Sequence, residues 1–247
     1  MPESNVGALG SEHAARYLDS IDERLARMRG ANAASIPAAA AIIANTVEHD
    51  GIIRLFGSGH SQLLALEAAG RAGGFAGVQV IFDQGMGRAE RLEGYAATLV
   101  RDMVLEARDC LVVISNSGRN PAPIEMAMIG RSSGLPVIAI TALDYARQSA
   151  SRHSSGKRLH ELCDVVLDTC GAPGDAVIAI EGAAVAAGAV STVLGAALLD
   201  AVLVEAVAEL VRRGVDPPLV RSYNLEGSEA NNALAFGRYL GRVTQVI

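Results

Sequence analysis

CLVVISNSGRNPAP, residues 110–123, is the stretch that decides how this chain folds. It opens on an unbroken aliphatic run, 110–114, too short for a helix and bounded by turn residues. Ser, Asn and Gly follow, the chemistry of a tight polar turn. Pro121 and Pro123 then open a helix, where a missing N–H costs little. A strand with no polar alternation is buried on both faces, as in a parallel sheet covered by helices. The stretch therefore reads as strand, turn and helix of one βα unit.

Working outward, the same unit recurs. Aliphatic runs at 52–56, 78–82, 136–140 and 165–168 read as further strands, with helices at 61–72, 96–106 and 123–132 between them. Upstream, helical spacing over 11–29 places Ala14, Leu18, Ile21, Leu25 and Met28 on one face, and 35–48 reads as a second helix. Downstream, a long helix over 191–213 is stopped by Pro217 and Pro218, and a last helix covers 229–243. Residues 1–10 read as a loose tail. The Ser-, Arg- and His-rich segment 144–156 reads as a mobile loop near the ligand face. The expected fold is α/β, a three-layer doubly wound parallel sheet with N-terminal helices and a long C-terminal helix. Residues 1–50 are expected to pack on the domain or on a partner subunit. Residues 51–247 are expected to form the binding domain, with one structural domain overall.

Half of the 247 residues are hydrophobic, enough for a sizeable core, and the formal net charge is −6. That charge argues against a sequence-independent grip on nucleic acid, which needs a basic face. Cys110, Cys163 and Cys170 form no C-x-x-C pair, so neither a disulfide framework nor a zinc site is signalled. No signal segment is read, and the expected location is cytoplasmic. The most apolar region, 178–210, is interrupted by Glu181, Asp200, Glu205 and Glu209, which argues against a membrane span. The long helix and the first helix present more apolar surface than one sheet face covers, so a homodimer or homotetramer is expected.

Parallel sheets bind ligands outside the carboxyl ends of their strands, so the turns there are the candidate site. The first is FGSGHSQ, residues 56–62. Gly57 and Gly59 allow a tight turn, and Ser58, His60 and Ser61 crowd polar groups at one strand end. A dinucleotide fingerprint is not present, because the third glycine is missing at the required spacing. The second turn is ISNSGRNP, residues 114–121. Ser115, Asn116, Ser117 and Asn120 offer short hydrogen-bonding side chains around Gly118, which suits the three acceptor oxygens of a phosphate.

With these motifs in view, residues 54–141 resemble the sugar isomerase (SIS) domain of phosphosugar isomerases and binding proteins. SNSGRN after the third strand matches that family's Ser-x-Ser-Gly-x-(Ser/Thr) phosphate loop, GSGHS follows the first strand, and VIAIT closes the fourth. EAAGRAGG, 67–74, is most similar to a single-domain, phosphoheptose-isomerase-like subgroup. The resemblance implies a flavodoxin-like SIS fold, with Ser115, Ser117 and Asn120 on the phosphate and Asn116 turned to the sugar. Asn120 stands where the family usually has a hydroxyl. Phosphoheptose isomerases carry His and Glu four residues apart on the first helix, positions that are Glu67 and Arg71 here. The long C-terminal helix lacks the histidine those enzymes use.

Isomerisation needs a base beside a carbonyl and a group that moves protons between two oxygens. Glu67 and His60 are the candidates. Glu125, Glu226 and Glu229 are further carboxylates, with helix-dipole or capping roles the plainer reading. No metal and no cofactor is expected. The expected function is binding of a phosphorylated sugar or amino-sugar derivative, as an aldose–ketose isomerase. The alternative is a non-catalytic phosphosugar sensor or protein-interaction module.

Overall fold

The computed structural model describes residues 12–243, so the tail read over 1–10 lies outside the described residues. Five strands form one sheet: β1 Ile53–Gly57, β2 Val78–Ile81, β3 Cys110–Ile114, β4 Val137–Thr141 and β5 Val165–Asp168. Their order is β2-β1-β3-β4-β5 and every neighbouring pair is parallel. β1 to β4 are buried along their whole length, which is why their sequences are almost wholly apolar, with Arg54 and Gln79 as exceptions. The helices are α1 Glu12–Ala31, α2 Ser35–Glu48, α3 Ser61–Glu67, α4 Tyr95–Leu99, α5 Pro121–Ser132, α6 Leu143–Gln148, α7 Ser191–Arg212 and α8 Ser228–Gly237.

The strand period of two assigns the side chains to two cores. Leu55, Val80, Val112, Ile138 and Leu167 face one way and pack with Ile43 of α2, Leu64 of α3 and Val202 of α7. Phe56, Ile81, Val113 and Ala139 face the other way, onto Ala96 of α4 and Met126 of α5. The result is the expected three-layer, doubly wound architecture with a long C-terminal helix. Ile21 and Met28 of α1 join the first core, whereas Leu18 remains exposed. The apolar face of α1 is thus buried only along its second half.

Several boundaries differ from the sequence reading, each for a local reason. α3 stops at Glu67 rather than continuing to 72, and Gly70 and Gly73 then take positive φ as the chain turns toward β2. The helix read over 96–106 is only Tyr95–Leu99. Beyond it the chain presents the Val104 carbonyl and the Glu106 N–H to a buried ion pair instead of to a helix ladder. The segment read as a mobile loop over 144–156 begins as α6 and then hydrogen-bonds to neighbouring loops. An antiparallel hairpin, β6 Ala176–Ile178 with β7 Ala187–Ala189, was not read from the sequence. α8 is Ser228–Gly237, ending short of the expected 243, with Gly227 as its N-cap.

At the amino ends of the strands, Arg54 is 4 % exposed inside β1. Its guanidinium donates to Asp109 Oδ2 at 2.9 and 3.1 Å and to the Val104 carbonyl at 2.9 Å, and also bonds Gln79 of β2. Asp109 Oδ1 accepts the Ile52 N–H at 2.8 Å. A charge inside a parallel sheet is tolerated only when paired and hydrogen-bonded in this way. Among the described residues no single helix is long and apolar enough to cross a membrane.

Candidate functional site

The strand order reverses between β1 and β3, because the chain goes from β1 outward to β2 and then crosses back. Loops at such a switch point diverge and leave a crevice at the carboxyl edge. The loops in question are 57–61 and 115–120, the two that the sequence singled out. β1 and β3 run side by side in register up to Gly57 and Ile114, so both loops leave the sheet at the same level.

The first loop turns sharply. A Cβ on Gly57 would lie 2.4 Å from the Ser61 carbonyl oxygen, so only glycine permits α3 to fold back on β1. Ser58 donates its hydroxyl to Asp83 Oδ2 at 2.6 Å. That proton is therefore committed, so toward the cleft Ser58 Oγ offers an acceptor rather than a donor. Asp83, fully buried just beyond β2, also accepts from Tyr95 Oη at 2.5 Å, Gly85 N at 2.9 Å and Gly87 N at 2.8 Å. Burial pushes its carboxyl up, but the bonds from Ser58, Tyr95 and the two glycines outweigh that and hold it below its ordinary value of 3.8.

A group with a depressed folded pKa contributes stability above its unfolded pKa and loses it as pH falls through the folded one. Asp83→Asn is thus expected to cost about 1–3 kcal/mol at neutral pH, since the amide side cannot accept hydrogen bonds. The gap from wild type should narrow as pH falls below about 4, where the unfolded chain's carboxyl takes up its proton, and close as pH passes through the lower value of the folded one. Urea unfolding at neutral and acid pH checks this, and a gap independent of pH would count against it.

The second loop is held by its own backbone. Gly118, at φ +59°, donates its N–H to Ser115 Oγ at 3.2 Å. The Asn116 carbonyl accepts from Thr141 Oγ1 and Ala142 N, and the carbonyls of Gly118 and Arg119 accept from Leu159 N and Arg152 N. With the carbonyls tied back, donors are left toward the cleft. Ser115 has its O–H to give, and the Ser117 hydroxyl makes no hydrogen bond among the described residues. Both precede α5, whose dipole favours an anion, while its first turn has no N–H to spare: Pro121 and Pro123 have none and Ala122 N donates to the Glu90 carbonyl.

The loops enclose a cavity of about 230 Å³, lined by Ser58, Ser61, Ser115, Asn116, Ser117 and Asn120, with Glu90 and Tyr145 on its walls. A smaller lobe adjoins it through Ser61 and Asn116 and is walled by His60, Thr141, Thr169 and Ser191. Asn116 Oδ1 is buried with no hydrogen-bond partner among the described residues. It is an acceptor awaiting a hydroxyl or amide donor.

The other sequence candidates fall as follows. Asn120 does not present a spare amide, because its Nδ2 donates to Glu90 Oε1 at 2.8 Å and its Oδ1 accepts from Arg152 at 2.9 Å. Glu67 lines neither lobe; it is about half exposed and paired with Arg71, which also approaches Asp200 at 3.8 Å. Glu125 accepts the N–H groups of Gly94 and Ala96 and faces His153 at 3.7 Å, so it braces α4. Glu226 and Glu229 are exposed and line neither lobe. Among the described residues, no group of three or more His, Cys, Asp or Glu side chains is placed to hold a metal. Sequence reasoning missed Glu90, Asp83 and Arg152. They lie in aperiodic polar stretches, and the one available signal was the density of charge in GRAERLEG, 87–94.

Fold and site together define an α/β protein with a serine-rich cleft at the switch point of a flavodoxin-ordered sheet. The SIS domain matches residues 16–142, and the chain belongs to that family. Among curated relatives, a UPF0309 protein of Streptomyces coelicolor is 41 % identical over 246 residues, covering 94 % of this chain and 98 % of that one. A UPF0309 protein of Listeria monocytogenes is 38 % identical, covering 92 % and 97 %. Among solved structures, the phosphoheptose isomerase of Neisseria gonorrhoeae shares the fold. It has a TM-score of 0.55 and 18 % identity, over 80 % of this chain and 98 % of that one.

Proposed function

We propose that the cleft binds a phosphorylated sugar or amino-sugar derivative and that the protein acts on it as an aldose–ketose isomerase. The observation that carries the reading is the pair of hydroxyls, Ser115 and Ser117, aimed at one cavity from the start of α5. A phosphate there receives the two serine hydroxyls as donors, in the favourable field of the α5 dipole. The sugar would run from that point across Ser58 and Asn116, both acceptors, toward His60 in the smaller lobe. His60 is proposed as the group that moves protons between the two sugar oxygens.

A second reading is a sensor that binds without catalysis. It is favoured by the engagement of Glu67 with Arg71 outside the cleft, since a paired, exposed carboxylate is a weak base. Either reading includes a homodimer or homotetramer, supported by the exposed Leu18 of α1 and Val204 and Val211 of α7.

The test is thermal unfolding against fructose 6-phosphate, glucosamine 6-phosphate and sedoheptulose 7-phosphate, with the unphosphorylated sugars as controls. At a ligand concentration of about 100 times Kd the stabilisation is about 2.7 kcal/mol, a rise of roughly 5–10 °C for a chain of this size. A melting temperature unmoved by every sugar phosphate would defeat the reading.

A further inference from the structure

We propose that Glu90, on the loop after β2, is the acid–base residue of the cleft. It would take the proton from the carbon beside the carbonyl of the bound sugar phosphate. The proposal rests on the reading of the cleft as a phosphosugar site. Glu90 supplies the one carboxylate among the described residues that line either lobe. It stands on the wall of the same cavity as Ser115 and Ser117, so a sugar held by its phosphate lies alongside it.

Its position is built from both sides. The Glu90 carbonyl accepts the Ala122 N–H at 3.0 Å, which fastens its backbone to the first turn of α5. Oε1 accepts from Asn120 Nδ2 at 2.8 Å, and Asn120 is itself oriented by Arg152. Oε2 makes no hydrogen bond among the described residues and is the oxygen left for chemistry. Asn120 explains itself in the same way: where the family's loop has a hydroxyl, an amide can hold a carboxylate and an arginine at once. Burial lifts the Glu90 carboxyl above its ordinary value, against the pull of Arg91 and Arg152, and that suits a group that must both take and return a proton.

The step balances without a co-reactant. The C–H bond beside the carbonyl breaks and an O–H bond forms on Glu90. The electron pair left behind becomes the C=C bond of an enediolate as the carbonyl π pair moves to oxygen. A hydroxyl proton then crosses between the two oxygens by way of His60. Glu90 returns its proton to the former carbonyl carbon, and the new carbonyl forms at its neighbour.

The experiment follows solvent deuterium into the carbon-bound position of whichever of the three sugar phosphates stabilises the wild type. Glu90→Gln keeps the size and the acceptor for Asn120, so the fold and the ligand affinity, read by calorimetry, should hold within about three-fold. Exchange should fall by about 10²-fold or more. Glu90→Asp, which retracts the carboxylate by one methylene, provides a second variant should Gln unfold the loop, and should also lose most exchange. Glu67→Gln should keep it. Exchange that survives in Glu90→Gln overturns the proposal, as does binding by a wild type that never exchanges; both leave phosphosugar binding standing. No stabilisation by any of the three compounds removes the reading beneath it.

Discussion

Asp109→Ala is expected to destabilise the protein by about 3–5 kcal/mol, the loss typical when one partner of a buried ion pair is removed. Asp109 is fully buried, and its carboxylate neutralises Arg54, which is 4 % exposed in the second position of β1. The alanine variant leaves that guanidinium in the sheet hydrogen-bonded, among the described residues, to the Val104 carbonyl and Gln79 and without its carboxylate partner. It also strips the Ile52 N–H of its acceptor, at the point where β1 begins. The loss reflects the stranded charge more than the strength of the pair. Replacing both partners with apolar residues of similar volume should therefore recover much of it. Urea unfolding followed by circular dichroism measures both variants. A loss below about 1 kcal/mol in the single variant would mean that water reaches Arg54, contrary to its burial. Because the pair sits at the amino ends of the strands, sugar-phosphate affinity of the folded fraction should not change.

Ser117→Ala acts at the other edge of the sheet and should leave stability almost untouched, since its hydroxyl bonds no protein group among the described residues. Its expected effect is on binding. Loss of one charge-assisted hydrogen bond to a phosphate is worth roughly 1–3 kcal/mol, a Kd raised roughly 5- to 150-fold. Ser115→Ala should weaken binding by a similar amount and also disturb the loop, because Ser115 Oγ accepts the Gly118 N–H. The double variant is expected to abolish measurable binding in calorimetry while unfolding cooperatively. Unchanged affinity in both single variants would place the phosphate elsewhere.

The contrast between these two sites shows how far local sequence reaches. Ser115 and Ser117 were legible because strand, turn and helix signals are all local, and two serines around a glycine between a strand and a proline leave little choice of conformation. Arg54 and Asp109 were both visible in the sequence, 55 residues apart. Nothing in their spacing says they meet. They meet because β1 and β3 are neighbours, and that depends on a strand order no local pattern encodes.

By itself, then, the sequence determined the α/β class, the parallel sheet with its largely aliphatic strands, and the two loops that border the cleft. The period of two, the turn residues and the prolines act over a few neighbours and survive any arrangement of the units. The tertiary structure decided which side chains share the cleft. The reversal of order at β1 and β3 brings the loop after β2 against the start of α5, and so sets Glu90 on Asn120 and Ser58 on Asp83. The packing also leaves Glu67, at the end of α3, about half exposed on Arg71 rather than in the cavity. Hydrogen-bonding capacity is a property of a residue, but whether it is spent on the protein or kept for a ligand depends on neighbours remote in the chain, and only packing supplies those.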